Sequence, residues 1–372
     1  MQRSVGRPTV AQIDGDALRR NVAAIRARLA PGVQLLAVVK ADAYGHGATQ
    51  VAPLFERAGV DAFGVATVEE GVEIRRAGVT RPILVLAGAS AHEIDAAVEH
   101  RLGLAILDRA MAQEIHAALR DRPLQIHLKI DTGMGRVGTH PDELPALLDT
   151  LRAAPELSLV GIFSHFANAD GGNEEFAASQ LRLFHHAVDT VRQAGWDPPH
   201  IHMANSAAAL TRPAAHFSMV RPGIALYGVP PMSTCPVVLQ PAMRLTTRIV
   251  QLKSVPAEYP LSYGQTFVTR RPSRIATLPI GYADGYDRGL SNRAAALVRG
   301  RRAPVVGTVC MDLTLIDVTD VPGVAVHDEV VLWGQQDGAT INVDEVATWQ
   351  DSVSYEVLTR LGKRVPRVMR TG

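Results

Sequence analysis

Leu35-Leu36-Ala37-Val38-Val39-Lys40-Ala41-Asp42-Ala43-Tyr44-Gly45-His46-Gly47 is the stretch from which the rest of the chain can be read. A run of apolar, partly β-branched residues ends on a lysine and passes into a Gly-rich turn. That pattern predicts a buried strand, Leu35–Lys40, whose last residue points out of the sheet, then a loop leading to a helix. A lysine beside a buried strand is costly unless something pairs with it or reacts with it. Of 38 Lys plus Arg residues, only those at 40, 129, 253 and 363 are lysines. Arginine cannot lose its proton in a protein, so a lysine kept here in an arginine-rich chain suits chemistry that needs a free amine. The plainer reading is a charged residue capping a strand end.

Outward from this stretch, strand-like runs recur at Ala62–Thr67, Ile83–Gly88, Gly103–Leu107, Gln125–Asp131, Leu159–Phe166, His200–Ser206 and Ser218–Arg221, making eight. Between them one junction returns, as Arg57-Ala58-Gly59-Val60, Arg76-Ala77-Gly78-Val79 and Gln193-Ala194-Gly195-Trp196. Each reads as a helix C-terminus with glycine one residue past the cap. Before them, Asp14-Gly15-Asp16 offers an N-cap to a helix carrying Leu18, Val22, Ile25 and Leu29. Eight strand–helix units over roughly 230 residues predict an N-terminal (β/α)8 TIM-type barrel; an open doubly wound sheet is the structural alternative.

After about residue 238 short Val-, Thr- and Ile-rich runs replace long amphipathic helices: Thr246–Leu252, Ile275–Pro279, Ala303–Val309, Leu313–Val318 and Glu329–Leu332, with one short helix near Val343–Trp349. The predicted division is a barrel over 9–237 and a mostly β domain over 238–372, joined by the Pro-rich segment 230–236. The 372 residues are enough for two cores. Apolar content of 47%, charge of 20% and a net charge of +1 are those of an ordinary soluble globular protein, with no call for nucleic acid or an anionic membrane as partner. Two cysteines, Cys235 and Cys310, exclude a disulfide framework or a metal–cysteine cluster. The opening Met1–Pro8 has no apolar core resembling a signal peptide, and no run reaches membrane-spanning length, so a cytoplasmic location is expected.

In barrels of this kind the chemistry sits at the C-terminal strand ends. Lys40 ends the first; Lys129 and Asp131 lie on the fifth before a glycine turn to Arg136; Ser164 and His165 lie on the sixth, Asn205 and Ser206 on the seventh, and Arg221 with Pro222-Gly223-Ile224 on the eighth. Five strands converging on one mouth predict a pocket for a polar anion. Backbone N–H groups of Gly223 and Ile224 could meet a phosphate, with hydroxyls from Ser206 and Tyr44. Each residue has a duller role open to it. His165 could be a core histidine or a metal ligand, Lys129 and Arg136 a solvated strand end, and Arg221 half of a structural pair.

Val39–Gly47, Lys129-Ile130-Asp131-Thr132-Gly133-Met134-Gly135-Arg136, Ser164-His165-Phe166-Ala167, Ala204-Asn205-Ser206 and Val220–Gly228 resemble, in order, the motifs of alanine racemases, the fold-type III pyridoxal-phosphate enzymes. In the second domain Ser262-Tyr263-Gly264, Gly281–Gly285, Cys310-Met311-Asp312 and Ser354-Tyr355-Glu356 match as well. The resemblance implies pyridoxal 5'-phosphate as cofactor, anchored covalently by Lys40 and held by Tyr44, His165, Asn205, Ser206, Arg221, Gly223, Ile224 and Tyr355. It implies interconversion of L- and D-alanine by two bases, Lys40 for the D and Tyr263 for the L enantiomer. Tyr263 would reach in from a second subunit, so that the sites are complete only in a homodimer. Forming tyrosinate at neutral pH from a pKa near 10 costs roughly 4 kcal/mol, so the resemblance assigns His165 and Arg221 to a chain that favours the anion. Arg221 would also face the pyridine nitrogen and leave it largely unprotonated, weakening the electron sink. Arg136 and Met311 would bind substrate, Lys129 would be carbamylated by CO2 to hold Arg136, and no metal is implied. Asp170, Tyr282 and Arg288 would line the entrance, where Thr308 replaces an arginine of some relatives. The product would be D-alanine for peptidoglycan or L-alanine for catabolism. A related amino-acid decarboxylase, a broader small-amino-acid (serine) racemase and a non-catalytic cofactor-binding protein are the alternatives.

Overall fold

The computed structural model describes residues 7–370; Met1–Gly6, on which most of the reading of the opening segment falls, lie outside the described residues. The chain divides into two compact units, 17–240 and 1–16 with 241–372. In the first, β2 (Gln34–Val38), β3 (Ala62–Val65), β4 (Ile83–Val85), β5 (Leu102–Ile106), β6 (Leu124–Lys129), β7 (Leu157–Phe163), β8 (His200–His202) and β9 (Met219–Val220) form a closed parallel barrel. The pairs Gln34↔Met219 and Leu35↔Val220 join its last strand to its first, which rules out the open sheet. Leu35, Leu36, Ala37 and Val38 are all buried. A strand covered on both faces has no solvent side to alternate toward, hence its continuous apolar run.

Helices follow the strands: α1 (Gly15–Arg26) ahead of the barrel, then α2 (Lys40–Gly45), α3 (Ala48–Arg57), α4 (Val68–Arg76), α5 (Ile94–Glu99), α6 (Arg109–Leu119), α7 (Leu144–Arg152), α8 (Glu174–Gln193) and α9 (Ser206–Thr211). In α1 the Asp14 carboxylate accepts from the Asp16 amide at 2.9 Å, and Leu18, Val22 and Ile25 are buried, as the spacing predicts. The repeated junction also forms as read. Past α3, Gly59 takes φ +89, its amide bonds the Glu56 carbonyl, and the Val60 amide bonds that of Phe55. A side chain there would carry the strain of a left-handed backbone; glycine carries none.

The second unit is mostly β. Its largest sheet contains β1 (Val10–Asp14), β10 (Met243–Arg248), β15 (Ala295–Val298), β16 (Arg301–Pro304), β18 (Glu329–Gln336), β19 (Ala339–Ile341) and β20 (Arg367–Arg370). Smaller sheets are formed by β11 (Gln251–Val255), β14 (Ser273–Leu278) and β17 (Thr314–Asp317), and by β12 (Pro260–Leu261) with β13 (Phe267–Val268). The helix over Val343–Trp349 (α10) is present, joined by α11 (Ser354–Thr359), which the sequence reading did not anticipate. The run Thr246–Leu252 is two strands, broken at Ile249-Val250.

The 9–237 boundary needs one adjustment. Val10–Asp14 pairs antiparallel with β10 and parallel with β20, so residues 9–16 sit with the second unit. Central between two strands, β1 has both edges satisfied there. Among the described residues no helix is long and apolar enough to cross a membrane.

Candidate active site

Every barrel residue singled out in the sequence lies at or just past a strand's C-terminal end, and the strands stop one to four residues earlier than predicted. β2 ends at Val38, and Lys40 opens α2 rather than closing the strand. Beyond it the backbone does something the residue types conceal: Ala41, Asp42, Ala43 and Tyr44 take φ of +53, +54, +53 and +52, one turn of left-handed helix with no glycine in it. Such residues cost roughly 1–2 kcal/mol apiece, so the turn must be held from outside. Glu70 of α4 does so. One carboxylate oxygen accepts from the Ala41 amide and the other from the Ala66 amide, both at 2.7 Å. The Asp42 carboxylate accepts from the Ala48 amide at 2.7 Å, fixing the turn to α3. Burial, then Arg136, push the Lys40 amine below its ordinary range, against a smaller opposing pull from Glu70.

On the facing wall Lys129 is 5% exposed, with its Nζ 4.9 Å from the Phe163 ring centroid. Burial first, then Arg221 and Arg136, lower its pKa to about 7, with Asp131 pulling the other way. Asp131 shapes the turn that follows: its Oδ1 accepts from the amides of Gly133, Met134 and Gly135 at 2.9, 2.9 and 3.1 Å. Those bonds outweigh its own burial and hold the carboxyl below its usual range. The turn delivers the exposed Arg136 to the rim.

Arg221, also buried, is the hub. Its Nη2 donates to the Ser164 carbonyl at 2.7 Å and to His165 Nδ1 at 3.2 Å, and its Nη1 donates to His202 Nδ1 at 2.9 Å. Burial lowers the guanidinium to about 9, still a cation at neutral pH. Burial and Arg221, then the other nearby cations, hold His165 well below its usual value, so it is neutral. The buried Gln180 of α8 fixes the loop, donating to the His165 carbonyl at 3.1 Å and accepting from the Ala167 amide at 3.0 Å.

Between β8 and the chain past β9 lies a cup of hydroxyl and amide groups. Asn205 and Ser206 are not in a strand: Asn205 caps α9 through the Ala208 amide at 3.1 Å, and Ser206 is its first residue. Ser206 Oγ accepts from the Gly223 amide at 2.9 Å and the Ala225 amide at 3.3 Å, with Ile224 between them. A Cβ on Gly223 would sit 2.3 Å from the Tyr44 hydroxyl, so glycine alone admits that ring, which stacks on Tyr227 with centroids 4.9 Å apart. Tyr44, Ser206, Gly223 and Ile224 thus meet in one place. Hydroxyls and amides around a close backbone approach suit a phosphate, and Lys40, Arg136 and Arg221 suit a ring bearing an aldehyde, a phenolic oxygen and a basic nitrogen. The donor set fits pyridoxal phosphate.

On the second unit Tyr263 is 73% exposed, in a turn with φ of +62 at Ser262, +71 at Gly264 and +51 at Gln265. Thr308 pins the turn: its Oγ1 donates to the Tyr263 carbonyl at 2.9 Å and its carbonyl accepts from Ser262 Oγ at 2.6 Å. Two residues on, the carbonyls of Cys310 and Met311 accept from the amides of Tyr282 and Ala283 at 3.0 and 3.1 Å. Tyr263, Met311 and Tyr282 therefore share one loop cluster. Arg288 follows Asp287, which is ion-paired with Arg360 just past α11, the helix carrying Tyr355. Asp170 is on the loop between β7 and α8 of the barrel unit. The sequence reading missed Glu70, Phe163, Gln180, His127 and His202. The one signal for the last two is alternation, His127/Lys129 and His200/His202, which puts each pair on one face of its strand.

Residues 13–231 match the family described as alanine racemase, N-terminal domain, and residues 242–369 the alanine racemase, C-terminal domain. An alanine racemase of Symbiobacterium thermophilum is 44% identical over 97% of both chains, and one of Geobacter sulfurreducens 43% identical over 97% of both. Among solved structures, alanine racemase from Bacillus anthracis with bound L-Ala-P superposes with a TM-score of 0.94 at 36% identity, over 98% of this chain and 95% of that one. The biosynthetic alanine racemase of Pseudomonas aeruginosa gives 0.87 at 39% identity, over 98% and 99%. The chain belongs to the alanine racemase family of enzymes.

Proposed function

We propose that this chain interconverts L- and D-alanine with pyridoxal 5'-phosphate, Lys40 and the Tyr263 of a second copy working on opposite faces of the substrate Cα. The cup in which Gly223 admits the Tyr44 hydroxyl beside Ser206, at a strand end neighbouring that of a lysine whose amine burial makes easier to deprotonate, carries this reading. Bound there, the cofactor would withdraw electrons from Cα and acidify its hydrogen. Lys40 would anchor the cofactor through Nζ and, with substrate bound, hold or release a proton at that nitrogen on one face. Tyr263 Oη does the same on the other. A single base returns the proton to the face it left, so racemisation needs both.

Arg136 orients the substrate carboxylate, with the backbone of the second copy's Met311, which shares the loop cluster of Tyr263, as a second contact. Arg221, a cation that does not surrender its proton, would face the pyridine nitrogen of the bound cofactor and keep it unprotonated. Lys129 takes up CO2: its neutral amine nitrogen forms the N–C bond and loses a proton. The carbamate anion then steadies Arg136, where an ammonium would repel it. A pKa of about 7 supplies the neutral amine this needs. Asp170 of one copy, with Tyr282 and Arg288 of the second, would guard the entrance, and the second copy's Tyr355 would stand beside the cofactor phosphate. Of the eleven large hydrophobic side chains exposed among the described residues of the second unit, six, Tyr263, Tyr282, Met311, Leu313, Val353 and Tyr355, belong to the loops around Tyr263 and to α11 with its N-cap, which favours their being covered by another copy.

Incubation of the protein with pyridoxal phosphate and L-alanine in D2O tests the reading. It requires D-alanine deuterated at Cα; CO2 release from a dicarboxylic or diamino acid instead would make the chain a decarboxylase, and neither product would end the proposal.

A further inference from the structure

The barrel register places Lys129, Phe163 and His202 side by side on β6, β7 and β8, and one level further from the mouth His127, Gly161 and His200. Gly161 leaves room on that lower level, and the His127 ring fills it: a Cβ at 161 would stand 2.0 Å from His127 Nδ1. His127 Nδ1 lies 2.9 Å from His202 Nε2, and His202 Nδ1 lies 2.9 Å from Arg221 Nη1. His127, His202 and Arg221 are all buried, and the His202 ring is stacked flat on Phe163 with centroids 4.9 Å apart.

The direction of this chain follows from its one permanent donor. A guanidinium has no acceptor, so Arg221 must donate to His202 Nδ1. The His202 proton is then on Nε2, aimed at His127 Nδ1, and His127 keeps its own proton on Nε2. Neither imidazole is a cation: burial, then neighbouring positive charge, pushes His127 to about 3 and His202 well below its usual range. Without His127, the N–H of His202 would be buried and unpaired, and the ring would be free to turn away from Arg221.

We propose that His127 is a positioning residue for racemisation, accepting the His202 N–H and so fixing the ring that holds the Arg221 guanidinium square to the cofactor nitrogen. The inference rests on the cofactor-facing role proposed above for Arg221. It also gives Gly161 a function, as the position whose lack of a side chain lets the third member of the chain in.

The test compares His127→Leu, which removes the acceptor, with His127→Asn, whose Oδ1 replaces Nδ1. In the cofactor-free, full-length chain, 15N-edited NMR should show a slowly exchanging His202 Nε2–H, assigned by its loss in His202→Asn. That signal should persist in His127→Asn and vanish in His127→Leu. In the loaded enzyme, His127→Leu should lose about tenfold in kcat/KM and in cofactor affinity, with His127→Asn recovering most of both. A folded His127→Leu that keeps the N–H signal and stays within about twofold of wild type overturns the inference. If His127→Leu does not fold, His127→Asn decides alone: retained signal and activity support it, and loss of either overturns it. Absence of racemisation by wild type would instead sink the proposed function, and the NMR outcome would still report on the chain of rings.

Discussion

At the barrel mouth Lys129 and Arg221 are each 5% exposed, whereas on the second unit Tyr263 is 73% exposed. The barrel changes the acidity of its groups by burial: the amines of Lys40 and Lys129 and the ring of His165 all sit below their ordinary values because the charged form is poorly solvated. The second unit positions by backbone instead. Three consecutive-in-space left-handed residues around Tyr263 and the Thr308 clamp hold a phenol outward, and no wall of its own unit dries it. The lesson is that one region is chemically prepared by its own fold, while the other is mechanically prepared and takes its dry surroundings from whatever covers it.

The largest expected effect breaks the barrel side. Lys40→Ala should lower kcat/KM in both directions by about 10⁴-fold or more, since it removes anchor and base together. Equal rates for the variant and wild type in a coupled D-alanine assay would refute its role. Next, Tyr263→Phe keeps the ring and removes the hydroxyl; racemisation should fall about 10²–10⁴-fold. Deuterium exchange into D-alanine should survive and exchange into L-alanine should not, a directional split that a merely structural tyrosine would not give.

Gly223→Ala sharpens the comparison from within the cup. The new Cβ displaces the Tyr44 ring, and overpacking of about 1–3 kcal/mol should weaken pyridoxal-phosphate binding roughly tenfold or more in an absorbance titration. The smallest effect concerns stability. Lys129 has a folded pKa of about 7 against an ordinary 10.5, so between those values the unfolded chain binds more protons. In CO2-free buffer the folded state should therefore be least stable below neutrality and gain as pH rises from about 7 toward 10.5. Lys129→Met should flatten that slope, read as Tm against pH; an unchanged slope would assign it elsewhere.

The eight barrel strands were legible because burial on both faces writes each as an unbroken apolar run, and the helix junctions because glycine marks a left-handed cap. Strand ends were overdrawn for the converse reason. Asn205 and Ser206 look like a strand's polar tip, yet a side chain that bonds a nearby amide ends a strand and starts a helix. Val10–Asp14 could not be assigned to its sheet, since its partner strand begins more than 200 residues away. His127 and His202 were hidden in apolar strands, where a lone histidine reads as filling; only the register shows that they touch.

The turn at Ala41–Tyr44 has a consequence for handedness. Four L-residues there occupy the backbone conformation that their mirror images would choose, and Ala41 is exposed, with its side chain free of the packing around it. A D-alanine installed at position 41 by chemical ligation would relax rather than distort the loop, by roughly 1–2 kcal/mol. An enzyme that trades one enantiomer of alanine for the other thus keeps, one residue past its own lysine, a place where the unnatural antipode is the better fit.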